Sequence, residues 1–527
     1  MTQPILPPNA LITLQDTGDL IPSLLFAPNV GSDLSDIERR IMSWMSMRLL
    51  ESNTRNHVQL SEQYYNGLNI VPSLGISTPP ELEPLRAILG WCRTAVEARS
   101  ERLNVQGFRM PNATTIDSAV QEIWQHNNLD AEAPLLHEQA MVSGWTYAIV
   151  GKNDNDGDDS SGIPVITTES ALNMTASWNP MRREISAAYQ IYMDLDPTSD
   201  TYGRQLATLY TRDATIQLNT TPNGWIVADR NDHQQHWVPV VQFTPRPQFH
   251  ERLRGQSEMN AAWRNTQDRA ARTLVRMEIA GEFFATAKVY VLGVSEEAFM
   301  KKDGTKASAW ETYIGRISTI EADANGNLPT VQRIAGESPD GFISSLNQER
   351  SIFCGISGLA PQYLGIFSDG NPASADAIRM SDFRLATIAE RLAKPYGNDW
   401  EKLMSMALKM AGEWTASADQ METDWGPFGI PTPSADTVNV VSMVGAGMVA
   451  PDSDDALAAL GWSPVQRARI REGMKRQQGL AQIGQAIAGL KPPATPGAAP
   501  PQALDGQQPG ALQALNSQRT TDSATAG

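Results

Sequence analysis

The sequence predicts an α+β fold, because the apolar residues change their spacing twice along the chain. Helical spacing governs the segments before Gly144, two-residue alternation runs from Trp145 to Phe243, and long helical patterns return from Ser257 onward. With 527 residues and 41% hydrophobic content, the chain has apolar material for a sizeable core. A 19% charged fraction excludes wholesale disorder.

Taken in order, residues 1–33 are rich in Pro and Asn and read as an irregular arm. Ser35 followed by Glu38 matches a capping box, so a helix is expected through Ile37 to Leu50. Two more helices are expected, from Glu81 to Leu103 and from Ile116 to Gly144. Strands are then predicted at Thr146 to Val150, Val165 to Thr168, Ile185 to Asp194, Gln205 to Tyr210, Ala214 to Leu218, Trp225 to Val227 and Val238 to Phe243. Ser257 to Ala287 is the longest uninterrupted helical pattern, about 45 Å at the rise of an α-helix. A mixed insert follows, with strands expected at Val289 to Leu292 and Ile314 to Ile320. Another helix is expected from Asp340 to Ser357, then a loop rich in Gly, Pro and aromatics. Asn371-Pro372 is a good helix start, and the helix it opens should run to Trp414 with a kink at Pro395. Val438 to Val444 reads as a strand and Asp452 to Leu490 as helix. The Pro, Ala, Gln and Gly composition of 491–527 predicts a disordered tail.

The formal net charge is −17. Proteins that grip nucleic acid show basic stripes, because phosphate neutralisation drives that binding. The charge therefore speaks against a DNA-storing or DNA-reading protein and leaves room for a surface past which a polyanion slides. Cys92 and Cys354 are the only cysteines and sit among apolar residues, which excludes a disulfide framework and suits synthesis in a reducing cytosol. No apolar run approaches the roughly 20 residues that span a bilayer, and Met1 to Ala10 do not resemble a secretory signal. Neither export nor membrane contact is expected.

Motifs that carry chemistry fail on inspection. Gly445-Ala446-Gly447-Met448-Val449-Ala450 has dinucleotide-loop spacing, but Pro451 stands where the phosphate-binding helix would continue. In Asn153 to Asp159, placing Gly157 at the sixth position of a calcium loop puts Lys152 first and Ile163 twelfth, so both essential carboxylates are missing. His233 and His236 share a segment without a third ligand nearby. No catalytic, cofactor or metal site is read, and no cofactor is expected.

Several stretches resemble one family. They are Tyr64-Tyr65-Asn66-Gly67, Ile123 to Asp130, Gly144-Trp145-Thr146-Tyr147, and Val238 to Phe243 with Gly255-Gln256-Ser257-Glu258. The most specific is Leu359-Ala360-Pro361-Gln362-Tyr363-Leu364-Gly365 followed by Asn371 to Arg379. In this order they resemble the portal (head-to-tail connector) proteins of tailed bacteriophages, in the branch typical of actinobacterial siphophages. The resemblance implies a wing over 34–250, a first stem helix over 251–287, a clip over 288–336 and a second stem helix over 337–357. A tunnel loop over 358–372, a long kinked helix and wing return over 373–435, and a crown over 436–490 would follow.

It further implies a virion protein at the capsid's portal vertex, made in the host cytoplasm. Its subunits would form a homo-oligomeric ring, a dodecamer in the family, closed by head-to-tail contacts. The expected partners are the major capsid and scaffolding proteins, the terminase large subunit and a head-completion adaptor. Double-stranded DNA would pass through the channel without sequence-specific binding. Tyr363, Ile366, Phe367, Asp369 and Gly370 would lie nearest the DNA, with Gly358, Gly365 and Gly370 relaxing the backbone. Lys301, Lys302, Lys306 and Trp310 of the clip would meet the terminase or adaptor. Two other readings stand beside this one: another structural virion component, such as a minor head or capsid protein, and a cytosolic hydrolase using His233 and His236.

Overall fold

The computed structural model describes residues 33–489 except 56–57, 70, 72–86, 114–115, 154–161, 222–223, 234, 250–254, 285–287, 293–329, 335–337, 366–374, 430–439, 454–455, 458–459, 461 and 463. The chain divides into two units, Met1–Arg467 and Ala468–Gly527.

The first unit opens with α1 (Asp36–Arg55) and α2 (Val58–Tyr65). The expected capping box is present: the Glu38 amide donates to the Ser35 hydroxyl at 3.3 Å, and the Ser35 amide donates back to the Glu38 carboxylate at 2.8 Å. Next come α3 (Trp91–Ser100), β1 (Val105–Arg109), α4 (Ser118–His126) and α5 (Leu129–Ser143). The helix expected from Ile116 to Gly144 is thus two. Asn128 takes a left-handed conformation with φ of 50°, one that Asn tolerates better than most residues. The neighbouring Asn127 carboxamide donates to Ile123 O and Pro164 O, both at 2.9 Å, and accepts from the Ile166 amide at 2.7 Å. One side chain therefore fixes the break and ties it to the following sheet.

All the strands predicted between Thr146 and Phe243 form, together with one the pattern misses. A three-stranded antiparallel sheet has the order β3 (Val165–Ser170), β2 (Thr146–Gly151), β9 (Val240–Phe243). A five-stranded one runs β4 (Met174–Asn179), β5 (Glu184–Met193), β6 (Gln205–Tyr210), β7 (Thr215–Thr221), β8 (Gly224–Asn231). One face of the larger sheet, through Ala187, Tyr189 and Ile191, packs on Met42, Met45 and Leu49 of α1. Strict alternation would put Ile185 on that face too. The register slips between Ser177 and Trp178, leaving an extra residue on β5, and Ile185 joins Ala188 in the cluster with Tyr147 and Val240 of the smaller sheet.

The helices α6 (Ala261–Phe284) and α7 (Asp340–Ser357) follow, separated by β10 (Lys288–Leu292) and β11 (Thr330–Ile334), which pair antiparallel. The strand expected at Ile314 to Ile320 lies outside the described residues. After a short 3-10 turn at Pro361–Leu364 comes α8 (Ala375–Ala411), one 37-residue helix that continues through Pro395. β12 (Glu422–Trp425) pairs antiparallel with β1, and α9 (Pro464–Gly489) ends the described chain. The strand expected over 438–444 is replaced by a helical turn over 440–445. The Ala446 amide donates to Ser442 O at 2.9 Å and Gly447 has φ of +70°. The dinucleotide-like glycines therefore close a helix and do not follow a strand.

The main core joins α3, α4, α5 and α8 with β9. At its centre Trp400 stacks near Trp124 (5.0 Å) and Phe243 (4.8 Å), and its indole N–H donates to His137 Nε2 at 2.9 Å. Complete burial pushes the His137 imidazole down to about 3, with a weaker backbone contribution from Leu103 acting the other way. In the unfolded chain this group titrates near 6.5. Its contribution to stability is thus whole above about 6.5 and drains as pH falls towards 3, by up to ~1.4 kcal/mol per pH unit. Gln at 137 still accepts the Trp400 N–H but cannot take up the proton. Urea titrations between pH 6 and 5 should show the wild type losing about 1 kcal/mol per pH unit more than His137→Gln; parallel acid profiles would contradict this account of the core.

Candidate functional site: the brace between the helix pair and the loop

α6 and α7 run antiparallel, since Trp263 meets Phe353 at 5.6 Å and Arg269 Nη2 meets Glu349 Oε1 at 2.5 Å. Both contacts place the start of α6 beside the end of α7, while β10 and β11 continue from the opposite ends. The pair is held by the last turn of α3, a position where the helix dipole favours cations.

Arg99 is 2% exposed. Its Nη1 lies 3.0 Å from Glu258 Oε2, its Nη2 donates to the Ser357 carbonyl, and its guanidinium sits 4.4 Å from the Trp263 ring centroid. One side chain thus touches the approach to α6, α6 itself and the last residue of α7. Burial pushes the Arg99 guanidinium down to about 10, with Glu258 opposing that shift, so it stays charged at neutral pH. Glu258 is also paired with the half-exposed Arg246 through Nη2 at 2.8 Å.

The Gly255 to Glu258 motif is explained by the same junction. A Cβ on Gly255 would lie 1.9 Å from the Gly144 carbonyl oxygen, so only glycine lets the two backbones approach. The Ser257 hydroxyl (3.3 Å) and Glu258 amide (2.9 Å) then donate to Met141 O at the end of α5. Gln267 of α6 accepts the Cys92 amide at 2.9 Å. It caps α3, whose Gly90 supplies no capping side chain. The Tyr64-Tyr65 motif ties α2 to the same scaffold, its hydroxyls donating to Asp268 at 2.7 Å and Glu138 at 3.0 Å.

Arg102, just beyond α3, does for the loop what Arg99 does for the helices. Its Nη2 lies 2.7 Å from Asp382 of α8 and 3.0 Å from the Tyr363 hydroxyl, and its Nη1 donates to Phe428 O at 2.8 Å. Tyr363 is therefore placed at the base of the expected tunnel loop, half-buried against the main core. Ile366, Phe367, Asp369 and Gly370 lie outside the described residues, as do Lys301, Lys302, Lys306 and Trp310. Gly358 caps α7 with φ of +77°, a conformation glycine adopts readily, and a Cβ there would sit 2.8 Å from the end of the Ile388 side chain. Gly365, with φ of +74°, has open space around its Cα.

Sequence reasoning gave Arg99 and Arg102 no role. Arg99-Ser100-Glu101-Arg102 reads as a solvated helix end, and nothing nearby in sequence signals partners 159 and 280 positions away. Of the two histidines in the hydrolase reading, His236 pairs its exposed Nδ1 with Asp213 at 2.7 Å. Among the described residues, no three His, Cys, Asp or Glu side chains converge to hold a metal. No described helix is long and apolar enough to cross a membrane.

Arg99 and Arg102 thus brace an antiparallel helix pair that leads to the paired strands β10 and β11 at one end and to a tied loop base at the other. A family model described as "Phage portal protein, SPP1 Gp6-like" matches residues 51–453, and the chain belongs to that family. It is 29% identical over 452 residues to the portal protein of Mycobacterium phage L5, covering 85% of this chain and 90% of the relative. It is 28% identical over 434 residues to the portal protein of Mycobacterium phage D29, covering 81% and 87%. Both relatives come from phages of an actinobacterial genus, the branch the motifs pointed to. A chain of the virion of a native gene transfer agent particle aligns with a TM-score of 0.40 at 15% identity, over 70% of this chain and 88% of that one.

If the brace sets the helix pair, its loss should be costly. Glu258→Gln leaves Arg99 buried without a counter-charge and should lower the unfolding free energy by about 3–5 kcal/mol. Gly255→Ala should also destabilise, whereas Gly281→Ala, on an open face of α6, should be neutral or stabilise by up to ~1 kcal/mol. Thermal melts that show Glu258→Gln unchanged would remove the brace from this role.

Proposed function

We propose that this chain is the portal subunit of a tailed phage. It assembles head-to-tail into a dodecameric ring at the capsid vertex and forms the conduit through which duplex DNA enters and leaves. The observation that carries the reading is the braced pair of α6 and α7 leading to β10 and β11 within a family member. In this reading the pair is the stem, and residues 288–336 are the clip on which the terminase large subunit and later the head-completion adaptor dock. Residues 358–372 are the tunnel loop, 34–250 and 373–435 the wing, and 436–490 the crown. Capsid and scaffolding proteins surround the ring during assembly.

The surface of α7 supports a conduit in particular. After Asp340 its exposed positions, among them Ser344, Ser345, Asn347, Gln348, Ser351 and Ile356, carry no charge, and the one half-exposed charge, Arg350, donates to Asn347 Oδ1 at 3.3 Å. A face of hydroxyls and amides with a single arginine gains little counterion-release affinity for phosphate, which is compatible with sliding. The loop tip, with Ile366, Phe367 and Asp369, would touch DNA without gripping it. The rival reading of 358–372 is an ordinary connection between two packed helices.

Purified protein should sediment many-fold heavier than its 57.5 kDa chain; a persistent monomer across salt conditions would sink the proposal. Deleting Ile366 to Asp369 should leave that assembly intact and abolish DNA packaging or retention. Normal packaging by the deletion variant would withdraw the tunnel assignment and leave the ordinary connection.

A further inference from the structure

The crown segment contains a feature that a purely neutral conduit does not need. α9 holds Arg467, Arg469, Arg471, Lys475 and Arg476 against a single acid, Glu472, in a chain of net charge −17. Arg467 is fully buried and donates to Gln106 at 2.8 Å, so it serves the fold. The other four are exposed or half-exposed. Many exposed arginines elsewhere are neutralised locally, such as Arg39 by Asp36, Arg93 by Glu97 and Arg269 by Glu349. Arg469, Lys475 and Arg476 form no ion pair among the described residues, and neither does Glu472, although it lies within one helical turn of all three. From Gln477 to Gly489 the helix has no charge at all, so its cationic groups are concentrated in about two turns instead of being spread for solubility.

We propose that this first half of α9 contacts the phosphate backbone of duplex DNA. The site is electrostatic and indifferent to sequence. Arg469 and Arg476 are separated by about 10 Å along the helix axis, or about three base-pair steps of one strand. Arg471 and Lys475 sit one turn apart on an adjoining face. A ring of such helices would multiply weak contacts into measurable avidity. The inference rests on reading the chain as a DNA conduit.

The test is fluorescence anisotropy of a labelled duplex of arbitrary sequence titrated with purified full-length protein at 50–200 mM NaCl, with sedimentation run on the same samples. Four phosphate contacts predict a log–log salt slope of about −3.6, a loss of roughly 100-fold in affinity across that range. Each of Arg469→Gln, Arg471→Gln, Lys475→Gln and Arg476→Gln should reduce the slope by about one, and the quadruple variant should abolish binding. A matched quadruple variant of Arg182, Arg183, Arg391 and Lys394 should bind as the wild type does. No binding at 50 mM salt by protein that sediments as an oligomer overturns the inference and leaves an acidic protein segment as the occupant of α9. Equal binding by both quadruple variants overturns it as well. Failure of the wild type to oligomerise counts against the portal reading instead, whatever the slope.

Discussion

The ion pair between Arg99 and Glu258 is the interaction on which the rest of the arrangement depends. Two opposite charges are taken out of water at the point where α3, the approach to α6 and the end of α7 meet. The attraction gained in such a pair often does no more than offset the desolvation of both ions, so its effect on net stability can be small. Its effect on position is large. A guanidinium held at once by a carboxylate, a carbonyl and an indole face has one orientation, and a helix moved by an ångström would strand a charge. Arg102, one turn further on, repeats the device with Asp382, Tyr363 and Phe428. The helix pair and the loop base are therefore referenced to the end of α3 and the residues just beyond it, and Gly358 joins them with φ of +77°. In the proposed portal, such a common reference would keep the helix pair and the loop in a fixed relation.

How much of this was legible depends on the range of the interaction. The Ser35–Glu38 box, the alternation through β2 and β5 and the span of α7 are set by neighbours in sequence, and each reads directly from the chain. β1 and β12 escaped because Val-Gln-Gly-Phe-Arg and Glu-Thr-Asp-Trp have little alternation, and they pair across more than three hundred residues. The break between α4 and α5 was present in Asn127-Asn128, yet helical periodicity on both sides masked it. For the candidate site, Gly255 to Glu258 was recognisable as a motif, but the reason for its glycine lies in the Gly144 carbonyl. Buried arginines were invisible, since a sequence does not say which charges leave water. Gly358 reads as backbone freedom beside a loop, and its φ of +77° uses that freedom to end α7.

Charge is unevenly distributed along the chain. The chain is acidic as a whole, Arg350 is the one half-exposed charge on α7 after Asp340, and cationic side chains gather on α9. Net charge discourages nonspecific adhesion of DNA. In the proposed conduit, the same logic accounts for the lack of the basic composition by which DNA-binding proteins are usually recognised.

Ring formation around an axial opening is the central claim, and imaging tests it most directly. Negative-stain electron microscopy of the purified full-length protein should show end-on views of uniform rings with a stain-filled central hole. Side views should show a narrow stem that projects from a broader body. Monomers, open filaments or solid particles without an axial hole would contradict the account.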